Sequence, residues 1–187
     1  IHYQALCDQD TVINLTNHSY FNLDGEDSES VEGQHLQIFA DSFAENDAGC
    51  LPTGRIVSLD SEEGAPFDFR EPTEIGKRLH EENIHLKNGS GYDHNYLLKK
   101  QPDGLCARAY SRSSGILLEC RTSEPGMQLY TGNFLSTSNI VGKGGKSYAD
   151  RAGFCLETQH YPNAMEHPEF PSVVLPAGEL YDTTTEY

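Results

Sequence analysis

Residues 96–120, YLLKKQPDGLCARAYSRSSGILLEC, contain three short apolar or alternating segments that are separated by two turns. In the first turn, at residues 101–104, Pro102 fixes its own φ and Gly104 accepts a positive φ. The second turn lies at residues 113–115. Strand, turn, strand, turn and strand in so short a stretch is typical of an antiparallel sheet.

Other parts of the chain carry the same strand signals. Alternating or β-branched segments predict strands at residues 11–15, 36–40, 96–98, 107–110, 116–120, 127–131, 153–158 and 180–187. Residues 74–79 are the helix candidate, because Ile75 and Leu79 are four positions apart. Several short strands with Gly and Pro between them predict an all-β antiparallel sandwich or barrel-like fold. We see no internal repeat and no linker, so residues 1–187 are expected to form a single domain.

The composition indicates a folded domain that binds a neutral or cationic ligand. The chain has 187 residues, with 13 Lys and Arg against 29 Asp and Glu, and a formal net charge of −16. Its 10 Tyr and 8 Phe are more aromatic side chains than a disordered chain carries. Nucleic acids and anionic membranes are bound by basic surfaces, so the charge argues against both as partners. No apolar run is long enough to span a membrane.

The cysteines do not form the pattern of a secreted, disulfide-rich protein. Such frameworks are usually even in number and dense. Here the number is odd and the spacing is scattered: Cys7, Cys50, Cys106, Cys120 and Cys155. The chain opens at Ile1 without a visible signal peptide, and we expect it to be part of a longer protein. We therefore expect reduced cysteines and a cytoplasmic location.

Several familiar catalytic motifs are approached but not matched. His80 and His85 flank two glutamates, as in a zinc-protease helix, but they are five positions apart and cannot share a helix face as i, i+4 pairs do. The GGKS segment at residues 144–147 lacks the earlier glycine of a phosphate-binding loop. The chain has no C-x-x-C and no G-x-S-x-G motif. Metal, nucleotide and serine-hydrolase sites are therefore not favoured.

Four polar side chains occur in otherwise apolar or strand-like surroundings: His18, Asp93, Gln128 and Glu157. In a half-buried strand such groups are costly unless they are paired or line a cleft. Apolar residues precede Glu157, so burial can raise its pKa toward neutral. A histidine and a carboxylate can then act as acid and base near pH 7. Each residue alone has a structural explanation, but together, among acidic and aromatic neighbours, they indicate a neutral polyol ligand.

Six motifs, in order along nearly the whole chain, give a specific family resemblance. They are NLTNHSYFNL (14–23), PTG (52–54), PFDFR (66–70), GYDHN (91–95), TGN (131–133) and LETQ (156–159). From Gln4 to the C-terminus the sequence resembles the aldose 1-epimerases, the galactose mutarotase family. The resemblance implies an antiparallel β-supersandwich and a hexose substrate such as galactose or glucose. Family members have a further N-terminal half, so we expect residues 1–187 to be the C-terminal portion of a mutarotase-like domain, without its N-terminal strands.

The resemblance also implies roles for the four polar residues. His18 corresponds to the general acid and Glu157 to the general base. Asp93 and Gln128 correspond to residues that hold sugar hydroxyls. The implied reaction needs no metal and no cofactor, and the full-length protein is expected to be a monomer or a weak dimer.

Three other functions are considered on the same residues. A glycoside hydrolase also uses two carboxylates, here Asp93 and Glu157, but it releases a new reducing end, whereas mutarotation changes only the optical rotation. A phosphosugar epimerase is disfavoured by the net charge of −16. A non-catalytic or vestigial sugar-binding module is the alternative that does not involve catalysis.

Overall fold

Antiparallel strands dominate the computed structural model, which describes residues 1–138 and 141–187. Within these ranges the strands are β1 (His2–Leu6), β2 (Thr11–Val12), β3 (His35–Ile38), β4 (Ala40–Asn46), β5 (Pro52–Ser58), β6 (Thr73–Glu74), β7 (Asp93–Leu98), β8 (Leu105–Tyr110), β9 (Leu117–Thr122), β10 (Gly126–Tyr130), β11 (Cys155–Gln159), β12 (Val174–Leu175) and β13 (Leu180–Glu186). The α-helix of this part of the chain is α1 (Ile84–Gly89). Short 3-10 helices lie at Ala65–Phe67, Ile75–Lys77, Leu135–Ser138, Lys143–Gly145 and Ala164–Glu166.

In the part of the chain that the structure describes, the strands form two large sheets and one small one. The first large sheet has the order β1-β13-β9-β8-β3-β6, and the second has the order β11-β10-β7-β4-β5. β12 and β2 form a separate pair. The pairings within the described ranges are antiparallel, which confirms the predicted all-β sandwich class.

One hydrophobic core contains side chains from both large sheets. Leu36 and Ala107 contribute from the first sheet, and Phe43, Tyr96 and Leu129 contribute from the second. All five side chains are almost completely buried. Burial of apolar surface between two sheets stabilises a sandwich, because each sheet covers one face of the other.

The helix prediction at residues 74–79 is wrong. Thr73–Glu74 pairs with β3, and only Ile75–Lys77 turns, as a 3-10 helix. The backbone N–H groups of Ile75 and Gly76 donate to carbonyls at Gln34 and Glu32, so pairing with a neighbouring segment replaces the bonds of a helix.

The helix α1 lies further along the chain, beside the segment that resembles a zinc-protease helix. Asn83 begins it by accepting hydrogen bonds from the backbone N–H groups of His85 and Leu86, and Ser90 ends it in the left-handed conformation. The strand predicted at residues 11–15 is shorter, Thr11–Val12. Five of the described strands are not predicted from the sequence: β1, β4, β5, β6 and β12.

No helix within residues 1–138 and 141–187 has the length and apolar character needed to cross a membrane.

Candidate active site

One face of the second sheet carries polar side chains from three neighbouring strands. Side chains alternate between the two faces of a strand, so Gln128 and Tyr130 of β10 point to one side, and Met127 and Leu129 point to the core. The register places Gln128 opposite Glu157 of β11. On the other side of β10, Tyr130 is opposite Asp93 of β7. Three predicted site residues, far apart in sequence, are thus neighbours on one face.

A cavity of about 310 Å³ lies over this face. Its volume is at the lower end of the range that small-molecule sites occupy. It is lined by His18, Tyr20, Asp93, Gln128, Tyr130, Phe134, Glu157, Gln159 and Pro162. The lining combines hydrogen-bonding groups with aromatic rings, which suits a ligand with both hydroxyl groups and an apolar face.

His18 reaches the cavity from a loop, residues 14–20, that is fixed at both ends to the residues flanking β11. At one end the Asn14 amide donates to the carbonyl of His160 (3.0 Å) and accepts from its N–H (2.9 Å). At the other end Phe21 and Phe154 exchange two backbone hydrogen bonds of 2.8 and 2.9 Å. Two fixed ends limit the positions that the imidazole of His18 can take above the sheet.

His18 and Glu157 face each other at the edge of the cavity. The distance from His18 Nε2 to Glu157 Oε1 is 3.5 Å. The His18 side chain is 51% exposed, whereas that of Glu157 is 10% exposed. The rings of Tyr20 and Tyr130 lie 5.1 and 5.9 Å from the imidazole, between their centroids. The structure therefore joins an accessible imidazole to a carboxylate that is largely withdrawn from water.

Burial raises the pKa of Glu157 to about 7. The neighbouring His18 opposes this shift, and the charge of Asp93 adds to it. A carboxylate with such a pKa is a stronger base than an exposed glutamate and still loses its proton near neutral pH. Burial also raises the pKa of Asp93, while the hydrogen bond from Gln128 and the charge of His18 lower it.

Besides its strand pairing, Asp93 is held by hydrogen bonds with the side chains of Gln128, Asn46 and His94. The amide Nε2 of Gln128 donates to its carboxylate at 2.7 Å. Its backbone carbonyl accepts from Asn46 Nδ2 at 2.8 Å, and its backbone N–H donates to His94 Nδ1 at 3.2 Å. Gln128 Oε1 is buried and has no hydrogen-bond partner among the described residues. Buried acceptors are nearly always paired, so this oxygen is an exception that the described residues leave without a partner.

The TGN and GYDHN motifs meet at the start of β7. Asn133 donates to the carbonyls of Gly89 and Tyr92, at 2.7 and 3.1 Å. Gly91 has a φ of +133°, and a Cβ there would lie 2.8 Å from Asn133 Oδ1. Only glycine combines this backbone conformation with so close a neighbour. These contacts fix the point at which β7 begins and hence the position of Asp93.

The four residues singled out in the sequence all line this cavity, but other residues on this face of the sheet were missed. Tyr130, Cys155 and Gln159 lie two positions from Gln128 or Glu157 on the same strands, so strand alternation alone would have placed them on the site face. Cys155 Sγ is 3.4 Å from His18 Nδ1. Burial and the nearby carboxylates of Glu157 and Asp93 raise the pKa of this thiol, so it remains protonated.

Comparison with known proteins identifies the family. The aldose 1-epimerase family model matches residues 1–187. The chain belongs to the aldose 1-epimerase family. It is 45% identical to galactose mutarotase from Bos taurus over 186 residues, which is 99% of this chain and 52% of that protein. It is 38% identical to aldose 1-epimerase from Escherichia coli (strain K12) over 191 residues, covering 100% of this chain and 53% of that protein.

A solved structure shows the same fold. An aldose epimerase homologue from C. elegans superposes with a TM-score of 0.83 at 30% identity, over 100% of this chain and 55% of that one. The chain thus spans about half the length of the relatives and of the solved structure that it matches. The predicted family and the β-sandwich class are confirmed.

Proposed function

We propose that the protein interconverts the α and β anomers of a hexose, such as galactose or glucose, by opening and closing the pyranose ring. The observation that carries this proposal is the pair formed by His18 Nε2 and Glu157 Oε1, 3.5 Å apart at the edge of one cavity. Membership of the aldose 1-epimerase family and the similarity to galactose mutarotases support it.

The spacing of the pair suits the chemistry of an anomeric centre. Ring opening needs one group to take the proton of the anomeric hydroxyl and another to give a proton to the ring oxygen. Both oxygens are bonded to the same carbon, so the two groups have to be neighbours. A positioned proton transfer of this kind contributes typically about 10²–10⁴-fold in rate.

We assign the role of base to Glu157 and that of acid to His18. The raised pKa of Glu157, about 7, gives its carboxylate the basicity to accept a hydroxyl proton near neutral pH. The half-exposed imidazole of His18 can exchange its proton with water after each turnover. When the open aldehyde has rotated about its C1–C2 bond, the same two groups reverse their roles and close the ring on the other face.

Asp93 and Gln128 bind sugar hydroxyls in this proposal. Asp93 offers carboxylate oxygens, and the amide side chain of Gln128 lines the cavity beside them. Tyr20 and Tyr130 supply apolar ring faces beside them.

The domain organisation, cellular location, partners and oligomeric state of the protein are also proposals. We propose that residues 1–187 form a portion of one mutarotase-like domain, because the family model matches all of them. A cytoplasmic location is supported by the five cysteines, all free in the structure. The absence of nucleic-acid partners and a monomer or weak dimer remain predictions.

The proposal is tested with Glu157→Gln in the full-length protein. The amide keeps the shape of the side chain but cannot accept a proton, so we expect the rate of mutarotation of fresh α-galactose, followed by polarimetry, to fall by about 10²–10⁴-fold. His18→Asn is expected to cost less, because water at this exposed position can replace a lost acid.

Glu62→Gln is the matched control, since Glu62 is exposed and lies outside the cavity. It is expected to retain the parent rate. If Glu157→Gln keeps more than about a tenth of the rate, Glu157 is not the base. A parent protein that binds galactose without accelerating its mutarotation is a sugar-binding module, and release of reducing ends from a glycoside would identify a hydrolase.

A further inference from the structure

His18, Cys155 and Glu157 together form a group of potential metal ligands. One donor atom from each of the three lies within 4.8 Å of the other two. Cys155 Sγ is 3.4 Å from His18 Nδ1, and Glu157 Oε1 is 3.5 Å from His18 Nε2. The ring of His18 therefore lies between the thiol and the carboxylate, with one nitrogen toward each.

We propose that this group is an inhibitory site for Zn²⁺, in which the ion binds His18, Cys155 and Glu157 and so blocks the cavity. Thiolate, imidazole and carboxylate are all zinc ligands, and three protein ligands with one open position are a common coordination. The tertiary fold brings these ligands together, since His18 is 137 residues from Cys155 and Glu157 is 2 residues from it. For this reason no zinc-binding motif in the sequence reveals the site.

The donor spacing fits a tetrahedral ion after a small movement. With Zn–S near 2.3 Å and Zn–N or Zn–O near 2.0–2.2 Å, donors around one tetrahedral ion lie about 3.3–3.7 Å apart. Cys155 and Glu157 are fixed on β11, two residues apart on the same face. The ring of His18 is half exposed, so it can turn to bring a single nitrogen to the ion.

The charge of the cavity favours a cation. Asp93 and Glu157 both contribute carboxylates to it, and among the described residues that line it there is no Lys or Arg. The thiol of Cys155 loses its proton to the solvent when the ion binds, because the thiolate is the ligand. The fourth position faces the cavity and is filled by water.

The ion would act as an inhibitor and not as a cofactor. It occupies the imidazole and the carboxylate to which the proposed function assigns proton transfer, so neither is free to act on a sugar. This part of the inference rests on the proposed function. Binding of the ion itself does not, and it can be measured in the absence of any activity.

Binding is measured by titrating the metal-free full-length protein with Co²⁺ as a spectroscopic substitute for Zn²⁺. We expect one equivalent to bind with a thiolate-to-cobalt charge-transfer band, which Zn²⁺ abolishes by displacing the cobalt. Cys155→Ser is expected to lose the band, whereas Cys50→Ser, at an exposed cysteine outside the cavity, is expected to keep it. A band that persists in Cys155→Ser overturns the proposal.

A second variant decides the matter if Cys155→Ser does not fold. His18→Asn keeps the thiol and lies at an exposed position. Loss of even an outer partner of a ligand weakens metal affinity by roughly 10–100-fold, so loss of His18 is expected to weaken cobalt binding by about 100-fold. Unchanged affinity in His18→Asn excludes the site.

Inhibition is measured separately by polarimetry. We expect Zn²⁺ to slow mutarotation by the parent protein, EDTA to restore it, and saturating galactose to weaken cobalt binding. Cobalt binding without any effect on a measurable mutarotation rate overturns the inhibitory role. A protein with no mutarotation at all refutes the proposed function and leaves the metal site to be judged by the cobalt titration alone.

Discussion

Replacement of His94 tests how strongly the stability of the core beneath the site depends on pH. His94 is buried against the rings of Phe43 and Phe67, with centroid distances of 5.3 and 4.7 Å. Its Nδ1 accepts the backbone N–H of Asp93, and its Nε2 has no partner among the described residues. Burial, together with the charge of His85, lowers the pKa of His94 to about 3. The folded protein therefore holds this ring in its neutral form.

The sign and size of the pH effect follow from this pKa. An unfolded histidine titrates near 6.5, so between pH 6.5 and about 3 the unfolded chain binds a proton at His94 that the folded protein does not. This contribution to stability is complete above pH 6.5 and is lost as the pH falls toward 3. From pH 7 to pH 5 the loss amounts to about 2 kcal/mol.

His94→Asn removes the titration and places an amide oxygen near the position of Nδ1. We expect this variant to be less stable than the parent at pH 7, because a smaller side chain leaves a cavity. Its free energy of unfolding, from urea denaturation of the full-length protein, should fall by about 2 kcal/mol less than that of the parent between pH 7 and pH 5. His80→Asn, at an exposed ring, serves as the control and should keep the parent slope. Equal slopes in the parent and His94→Asn would show that the buried ring is not held neutral.

Three further predictions concern the site. Asp93→Asn should raise KM for galactose more than it lowers kcat, since a residue that only holds hydroxyls binds ground state and transition state alike; an unchanged KM with a collapsed kcat would place Asp93 in the chemistry. The double variant Gln128→Ala, Asp93→Asn should lose less free energy of transition-state stabilisation, measured from kcat/KM for galactose, than the two single variants lose together. The reason is that the two side chains share a hydrogen bond of 2.7 Å, and strictly additive losses would contradict this coupling. Asn14→Ala should lower kcat by up to about 10²-fold with little change in KM, because it releases one end of the loop that carries His18, and a parent-like kcat would refute that role.

The all-β class of the fold could be predicted from the sequence, because turn residues and the alternation of apolar and polar residues are visible in short stretches of sequence. Residues 96–120 became β7, β8 and β9 with the turns between them where they were expected. The helix prediction failed because the spacing of Ile75 and Leu79 carries no information about the segment packed against them. A Cβ on Gly76 would lie 2.7 Å from the Cβ of Glu32, so residues 75–77 pack closely against the turn that precedes β3. Contacts between segments that are distant in sequence cannot be read from the pattern of a few consecutive residues.

Part of the candidate site could likewise be predicted from the sequence, and part could not. His18, Asp93, Gln128 and Glu157 were found through motifs, but the sheet register that joins Asp93 to Gln128 had to come from the structure. Asn46, which holds the backbone of Asp93, comes from β4 and has no motif of its own. A residue whose chemistry is unusual for its position can be recognised in the sequence. A residue that only positions another one, as Asn46 does, is recognised from its contacts in the structure.

The way the His18 loop is attached has a mechanical consequence. Asn14 binds His160 directly after β11, Phe21 pairs with Phe154 directly before it, and Glu157 lies on β11 between these two points. Because the loop is attached on both sides of Glu157, a displacement of β11 moves the two members of the proposed proton-transfer pair together. In the proposed reaction, Asp93 and Gln128 bind the sugar from other strands, so their contacts with it can change while the alignment of the pair is preserved.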